Sequence, residues 1–231
     1  MSGSRLRLVL APLLMALFAP TALAQSTSPA SVYVVTYVET LPSAKDDVAT
    51  LLTQWSETAR KDEGNLGLNV LQGSLRPNQF VIVGAWKDQK ALEGDLAAPH
   101  TNAVREKMRP HLLSPNDGRT HTGFAVGPAP PARPAGAVYV VTHVDVPPPS
   151  RADCEALLRR LAEDSRKDDG NIRFDVYQQI NRPNHFTVLE VWKDQNARDG
   201  HAAAAHVKQF REKLGPILGA LYDDRFYRAI D

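Results

Sequence analysis

Apolar positions along the chain switch between two periods, and they do so twice in the same order. From Val138 to Val144 the residues are rich in β-branched types and apolar on both faces, which predicts a strand covered on both sides of its sheet and central within it. After a proline-rich break, Cys154, Leu157, Leu158 and Leu161 recur at helical spacing. Gly170 follows where a helix end favours a residue that tolerates positive φ. Ile172, Phe174 and Val176 then alternate with Arg173, Asp175 and Tyr177, and the run from Phe186 to Trp192 comes after a turn signal at Asn181, Arg182, Pro183 and Asn184; these form a hairpin. Asp194 can cap a second helix, whose apolar stripe is Val207, Phe210, Leu214 and Ile217, and Arg225 to Ile230 read as a last short strand. The order is β-α-β-β-α-β.

The first half repeats it. A shift of 106 residues lays Val32 on Val138 and holds register without a gap for about ninety residues, with roughly two positions in five identical. Val48, Leu51, Leu52 and Trp55 fall on the first helical stripe, Gly64 on Gly170, and Trp86 on Trp192. The expected organisation is a first module at 31–126, a proline-rich semi-rigid connector at 127–136 and a second module at 137–231. Strands apolar on both sides cannot leave one face of a four-stranded sheet in water, so each copy must cover the other. The fold class expected is α+β: two tandem ferredoxin-like βαββαβ modules packed sheet to sheet as a pseudo-dimeric barrel within one chain, with further oligomerisation left open.

The N-terminus changes the setting. Arg5 and Arg7 precede an apolar run of 11 residues from Leu8 to Phe18, then Pro20, Ala22 and Ala24, the layout of a secretory signal peptide at 1–24 cleaved before Gln25. The run is too short to span a bilayer as a helix, so the mature protein is expected in the periplasm or secreted, off the membrane. The formal charge of the whole chain is +1, and loss of the two arginines leaves it near neutral, with no basic patch; nucleic acid is excluded as a partner on this basis. The single cysteine, Cys154, cannot form an internal disulfide and reads as a small buried core residue.

Candidate chemistry concentrates in the second copy. Phe186, Val188, Glu190 and Trp192 share one face of a strand, which sets a carboxylate beside an indole in an apolar layer. His201 and His206 follow on the next helical segment, where a histidine could act as a base or stabilise an anion. On one regular helix their five-residue spacing puts them about 140° apart, which argues against a shared metal ion. In the first copy Glu190 and His201 are replaced by Gly84 and Asp95, so the second copy is the one expected to be active.

The strand-end Glu190 and Trp192, the following Asp194 and Ala197, and His201 and His206 before Phe210 resemble the antibiotic biosynthesis monooxygenase family, which includes small quinol monooxygenases; the Arg182, Pro183, Asn184 turn and the opening strand fit as well. The resemblance covers both copies. It implies a dimeric α+β barrel and oxygenation of a phenolic or quinol-type aromatic by dioxygen with no cofactor and no metal: the substrate loses a proton and its anion reduces dioxygen. It assigns His201 or His206 as base, Trp192 as pocket wall and donor, Glu190 as a carboxylate orienting a histidine, and Tyr139, His143 and Phe210 as substrate contacts. Two other functions are compatible with the same residues: a non-enzymatic small-molecule-binding or stress-related barrel, and a haem-binding or haem-degrading one.

Overall fold

A computed structural model of the chain describes residues 31–128 and 135–230. The expected signal peptide lies outside them, as do residues 129–134 of the expected connector. The first copy runs β1 (Val32–Glu39), α1 (Lys45–Ala59), β2 (Asn65–Gly73), β3 (Gln79–Trp86), α2 (Gln89–Ala97), α3 (Pro99–Met108) and β4 (Asp117–Ala125). The second repeats it as β5 (Val138–Asp145), α4 (Arg151–Ser165), β6 (Asn171–Gln179), β7 (His185–Trp192), α5 (Gln195–Ala203), α6 (Ala205–Leu214) and β8 (Asp223–Ala229).

One difference from the expected element order matters for the site. The second helix of each copy is two helices, because Ala98 and Ala204 take extended backbone (φ −62°, ψ 142° and φ −63°, ψ 148°) and turn the chain. Pro99 explains the break in the first copy, since the residue before a proline is held out of the α region. The second copy keeps the same bend with Ala205 in place of the proline. The expected cap is present, with Ala197 N donating to Asp194 Oδ1 at 2.8 Å.

The eight strands close into one antiparallel barrel in the order β1-β3-β2-β8-β5-β7-β6-β4, with β4 returning to β1. β5 is flanked by β7 and β8, central in its sheet as its composition predicts. The two sheets face one another and are also joined at both seams by hydrogen-bonded strand pairs between copies: β2 with β8, through Leu71 and Ala229, and β4 with β6, through His121 and Gln179. Neither copy has an unpaired edge left for another chain to join.

Strand alternation sends two sets of side chains to opposite destinations. Val35, Leu71, Val81, Tyr139, Val141, Tyr177, Leu189 and Tyr227, drawn from both copies, pack together inside the barrel, where Tyr33 stacks on Tyr177 at 4.5 Å between centroids. The other faces pack under the helices. In the second copy Phe186, Val188 and Trp192 meet Leu158, Val207, Phe210 and Leu214, and in the first Phe80 and Val70 meet Leu52, Val104 and Met108. Burial of each such side chain stabilises the fold by about 1.5–3 kcal/mol, so both faces of every sheet are committed. Cys154 lies in this second layer, fully buried, with its thiol pushed up to about 12 by desolvation. Gly64 and Gly170 have φ of 82° and 77°, and a Cβ on either would sit 2.6 Å from the Cβ of Ala91 or Ala197, so these two glycines are required by both conformation and space.

Candidate functional site

The two spaces between sheet and helices are related by the duplication, and their contents differ. In the second copy Trp192 Nε1 donates to Glu190 Oε2 at 2.8 Å. Arg198, nearly buried on α5, lies 3.5 Å from the same oxygen and donates to Asp224 Oδ2 at 2.5 Å. Asp224 also accepts from Arg211 (2.9 Å) and from the hydroxyl of Thr142 (2.9 Å). This chain of alternating charges occupies the layer, together with Phe210 and Tyr222, whose rings meet edge to face at 6.0 Å. Burial pushes the Glu190 carboxyl up to about 7 against the pull of Arg198 and Trp192.

His201 stacks on Trp192 at 4.4 Å between centroids and donates through Nδ1 to Asp168 Oδ2 at 2.7 Å, while its Nε2 lies 3.8 Å from Glu190 Oε2. Desolvation holds its pKa below the usual histidine value, with Asp168 acting in the opposite direction. The bend at Ala204 brings His206 to the same carboxylate, 3.3 Å from Asp168 Oδ2, with the two imidazole centroids 5.6 Å apart. The expectation that their sequence spacing keeps them apart is therefore corrected: it assumed one regular helix, and they belong to two.

A second correction concerns the substrate contacts. β5 and β7 pair with Val140 opposite Glu190, Tyr139 opposite Val191 and His143 opposite Thr187. Paired residues share a face, so Tyr139 and His143 point into the barrel, on the other side of the sheet from Glu190, Trp192, His201 and Phe210. Tyr139 is core. His143 lines a cavity of about 330 Å³ at one end of the barrel, with Arg119 Nη1 2.9 Å from its Nε2.

Free space of the kind expected beside Trp192 lies instead beside its counterpart, Trp86. A cavity of about 90 Å³ there is bounded by Val34, Leu68, Gly84, Trp86, Asp95 and Met108, with Trp55, Leu92, Thr101, Arg105 and Asn116 also at its wall. Every one of these positions has a second-copy equivalent at the same shift, and the substitutions explain the difference in volume. Gly84, Leu92 and Gly118 stand where Glu190, Arg198 and Asp224 form the charged chain, and Leu68, Val104 and Asn116 stand where Phe174, Phe210 and Tyr222 fill the rest. With no carboxylate at Gly84, Trp86 Nε1 has no acceptor among the described residues; a Cβ on Gly84 would lie 3.0 Å from it. Trp55 Nε1 donates to Thr101 Oγ1 (2.9 Å), which donates to Asp95 Oδ1 (3.1 Å). Burial raises the Asp95 carboxyl to about 6, the Thr101 hydrogen bond pulling the other way. His100 Nε2 lies 3.0 Å from Asp62 Oδ2, the counterpart of the 3.3 Å approach of His206 Nε2 to Asp168 Oδ2 in the second copy.

Sequence reasoning named Glu190, Trp192, His201, His206 and Phe210, and the structure brings these five together. It missed Asp168, Arg198, Tyr222 and Asp224, and it missed the first-copy group of Gly84, Trp86, Asp95, Thr101 and Arg105. Asp168 carried a usable signal, because it lies in the block Arg166, Lys167, Asp168 that matches Arg60, Lys61, Asp62.

A barrel of eight antiparallel strands built from two copies of one module, with the helices outside, defines a fused dimeric α+β barrel. The family model for antibiotic biosynthesis monooxygenase matches residues 31–107 and 137–213, and the chain belongs to that family twice over. Among curated relatives it is similar to YcnE of Bacillus subtilis (strain 168), whose name marks it as a candidate monooxygenase: 29% identity over 86 residues, covering 37% of this chain and 90% of that protein. Among solved structures, a candidate monooxygenase of Fusobacterium nucleatum subsp. nucleatum superposes with a TM-score of 0.80 at 13% identity, over 87% of this chain and 93% of that one. An anthrone oxidase-like protein superposes with a TM-score of 0.66 at 12% identity, over 87% and 92% of the two chains. Those two likenesses establish the fold, including its fused two-copy form.

Proposed function

We propose that the chain is an exported, cofactor-independent monooxygenase of small phenolic or quinol-type aromatics, and that the reaction takes place in the first copy. Family membership and the similarity to YcnE support the reaction class. Export is supported by the arginine-flanked apolar run and the Ala22 and Ala24 that follow it. The observation that carries the choice of copy is the cavity opened by Gly84, because a bound ring needs space and the corresponding second-copy layer is occupied by its own side chains.

In this reading Asp95 takes the phenolic proton, and the Trp86 indole N–H, without an acceptor among the described residues, donates to the resulting oxyanion. Arg105, whose second-copy counterpart is paired with Asp224, adds positive charge at the same wall. The ring carbon that carries two hydrogens in the keto tautomer adds dioxygen as a hydroperoxide. Loss of water leaves a quinone carbonyl, so one O2 is consumed and one H2O released per turnover. The substrate supplies the electrons. At about 90 Å³ the cavity is smaller than the roughly 150 Å³ that holds benzene in an apolar protein interior, so a single ring enters as Met108 and the exposed Leu96 shift, and fused polycycles do not fit.

Oxygen uptake with a panel of hydroquinones and phenols tests the reading. Gly84→Leu, checked for fold by circular dichroism, fills the cavity and is expected to reduce uptake by about 100-fold, while a His201→Ala, His206→Ala variant retains it. The opposite result moves the reaction to the second copy, where Glu190 near 7 is the group poised to exchange a proton. Uptake no faster than buffer for every substrate removes the enzymatic reading and leaves a ligand-binding barrel.

A further inference from the structure

We infer that Asp168, His201 and His206 form a binding site for a divalent transition-metal cation of the zinc class, on the second copy and apart from the first-copy cavity. Their ligand atoms all lie within 4.8 Å of one another. Two nitrogens already converge on a single oxygen: His201 Nδ1 at 2.7 Å and His206 Nε2 at 3.3 Å from Asp168 Oδ2. Only the first is a hydrogen bond; His206 Nε2 is buried from solvent and has no hydrogen-bond partner among the described residues. A buried ring nitrogen left without a partner beside a carboxylate is an arrangement that a cation completes.

Bond lengths of about 2.0–2.2 Å at tetrahedral angles space zinc ligands roughly 3.3–3.5 Å apart. The His206–Asp168 pair stands at that spacing, and the His201–Asp168 pair reaches it when its hydrogen bond opens by under an ångström. Two imidazoles and one carboxylate select a borderline dication over magnesium or calcium. The surroundings also suit a metal ligand. His201 stacks on Trp192 and lies tilted against Phe174 at 5.7 Å between centroids, and its remaining nitrogen lies 3.8 Å from Glu190 Oε2, the kind of outer carboxylate that orients a ligating histidine. The Asp168 and His206 side chains are each about one-fifth exposed, which leaves a side open for a cation to arrive and for water as a fourth ligand.

The molecule holds two comparable groups that sharpen the assignment. In the first copy Asp62, Asp95 and His100 occupy the equivalent positions, but they offer one nitrogen, and Asp95 is bound by Thr101. His143, Asp145 and His185 also converge at the end of the barrel, yet the Arg119 guanidinium sits 2.9 Å from His143 Nε2 and holds both the lone pair and the positive charge a metal would bring. The Asp168 group has neither defect.

The test is titration of the chelator-treated protein with Zn2+ alone, followed by calorimetry, and with Co2+, whose visible absorption reports nitrogen ligation. Expected are one strong site per chain, a rise in Tm of about 5 °C or more at saturating Zn2+, and a loss of affinity of at least 100-fold in Asp168→Asn and in the partly exposed His206→Gln. Glu190→Gln, with all three ligands intact, weakens Zn2+ by about 10-fold. His100→Ala leaves the strong site unchanged. The inference is overturned if the wild type takes up no stoichiometric Zn2+, if Asp168→Asn and His206→Gln bind as the wild type does, or if His100→Ala abolishes the site.

Discussion

Gly84 and Glu190 occupy the same place on the third strand of their respective copies, two residues before a buried tryptophan, and the contrast between them decides what each layer can hold. Glu190 accepts the indole hydrogen bond of Trp192 at 2.8 Å; Gly84 leaves the indole of Trp86 facing a cavity. Leu92 opposite Arg198 and Gly118 opposite Asp224 complete the pattern, so the second copy has exchanged an open space for a string of paired charges.

Gly84→Glu alone is expected to destabilise the protein by about 2–4 kcal/mol, because it buries a carboxylate beside Leu92, where the second copy has the pairing cation Arg198. Adding Leu92→Arg and Gly118→Asp recreates the second-copy chain and recovers most of the loss. Urea unfolding of the single and triple variants measures this, and a triple variant no more stable than the single one would show that the charges act independently.

Arg198→Leu leaves both Glu190 and Asp224 with less cationic compensation inside the second layer. The expected cost is about 3–5 kcal/mol, larger than for Arg211→Leu, whose side chain is nearly half exposed. Chemical denaturation of the two variants at one pH ranks them.

Glu190 also predicts a pH dependence of stability. Its folded-state value, pushed up to about 7 by burial, lies above that of the unfolded chain, so between these values the folded state keeps a proton that the unfolded state has released. The stabilisation is complete below the ordinary carboxylate range and is lost as pH rises through about 7, by an amount on the order of 3 kcal/mol. Glu190→Gln removes that contribution. Denaturation midpoints at pH 5 and pH 8 should fall further for the wild type than for the variant.

If Asp95 is the base, kcat/KM rises with pH along a limb whose midpoint lies near pH 6, the value to which burial raises its carboxyl, and levels off above it. Asp95→Asn lowers kcat by about 100-fold and abolishes that limb. A profile unchanged by the substitution assigns the proton transfer to another group.

Residues 137–230 expressed alone would expose the barrel-facing Tyr139, Val141, Leu189 and Val191 and the free edges of β6 and β8. They are expected to pair with a second copy of themselves, rebuilding the barrel as a homodimer, which sedimentation velocity would detect.

Much of the architecture was legible because it rests on local chemistry repeated twice. The alternation on β6, the double-sided apolar β5, the Asp194 cap and the positive-φ Gly170 each follow from a few neighbouring residues, and the duplication confirmed each against an independent version. The bend at Ala204 was not legible within the second copy, where Ala203, Ala204 and Ala205 are all strong helix formers. Its signal was Pro99, one repeat away, and reading it across would have united His201 with His206. The faces of Tyr139 and His143 required the pairing register with β7, which composition does not specify. Volume was the least legible property. Glu190, Arg198 and Asp224 look in sequence like an equipped site, whereas in space they satisfy one another, and the vacancy arises where glycine and leucine replace them.

The seams between copies have a consequence for how the molecule behaves on dilution. Two separate subunits forming such a barrel come apart below their dissociation constant, but here the strand pairs β2–β8 and β4–β6 join parts of a single polypeptide, at a local concentration fixed by the connecting segment. A protein so joined keeps its two halves covering one another at any abundance, with no second subunit to be supplied.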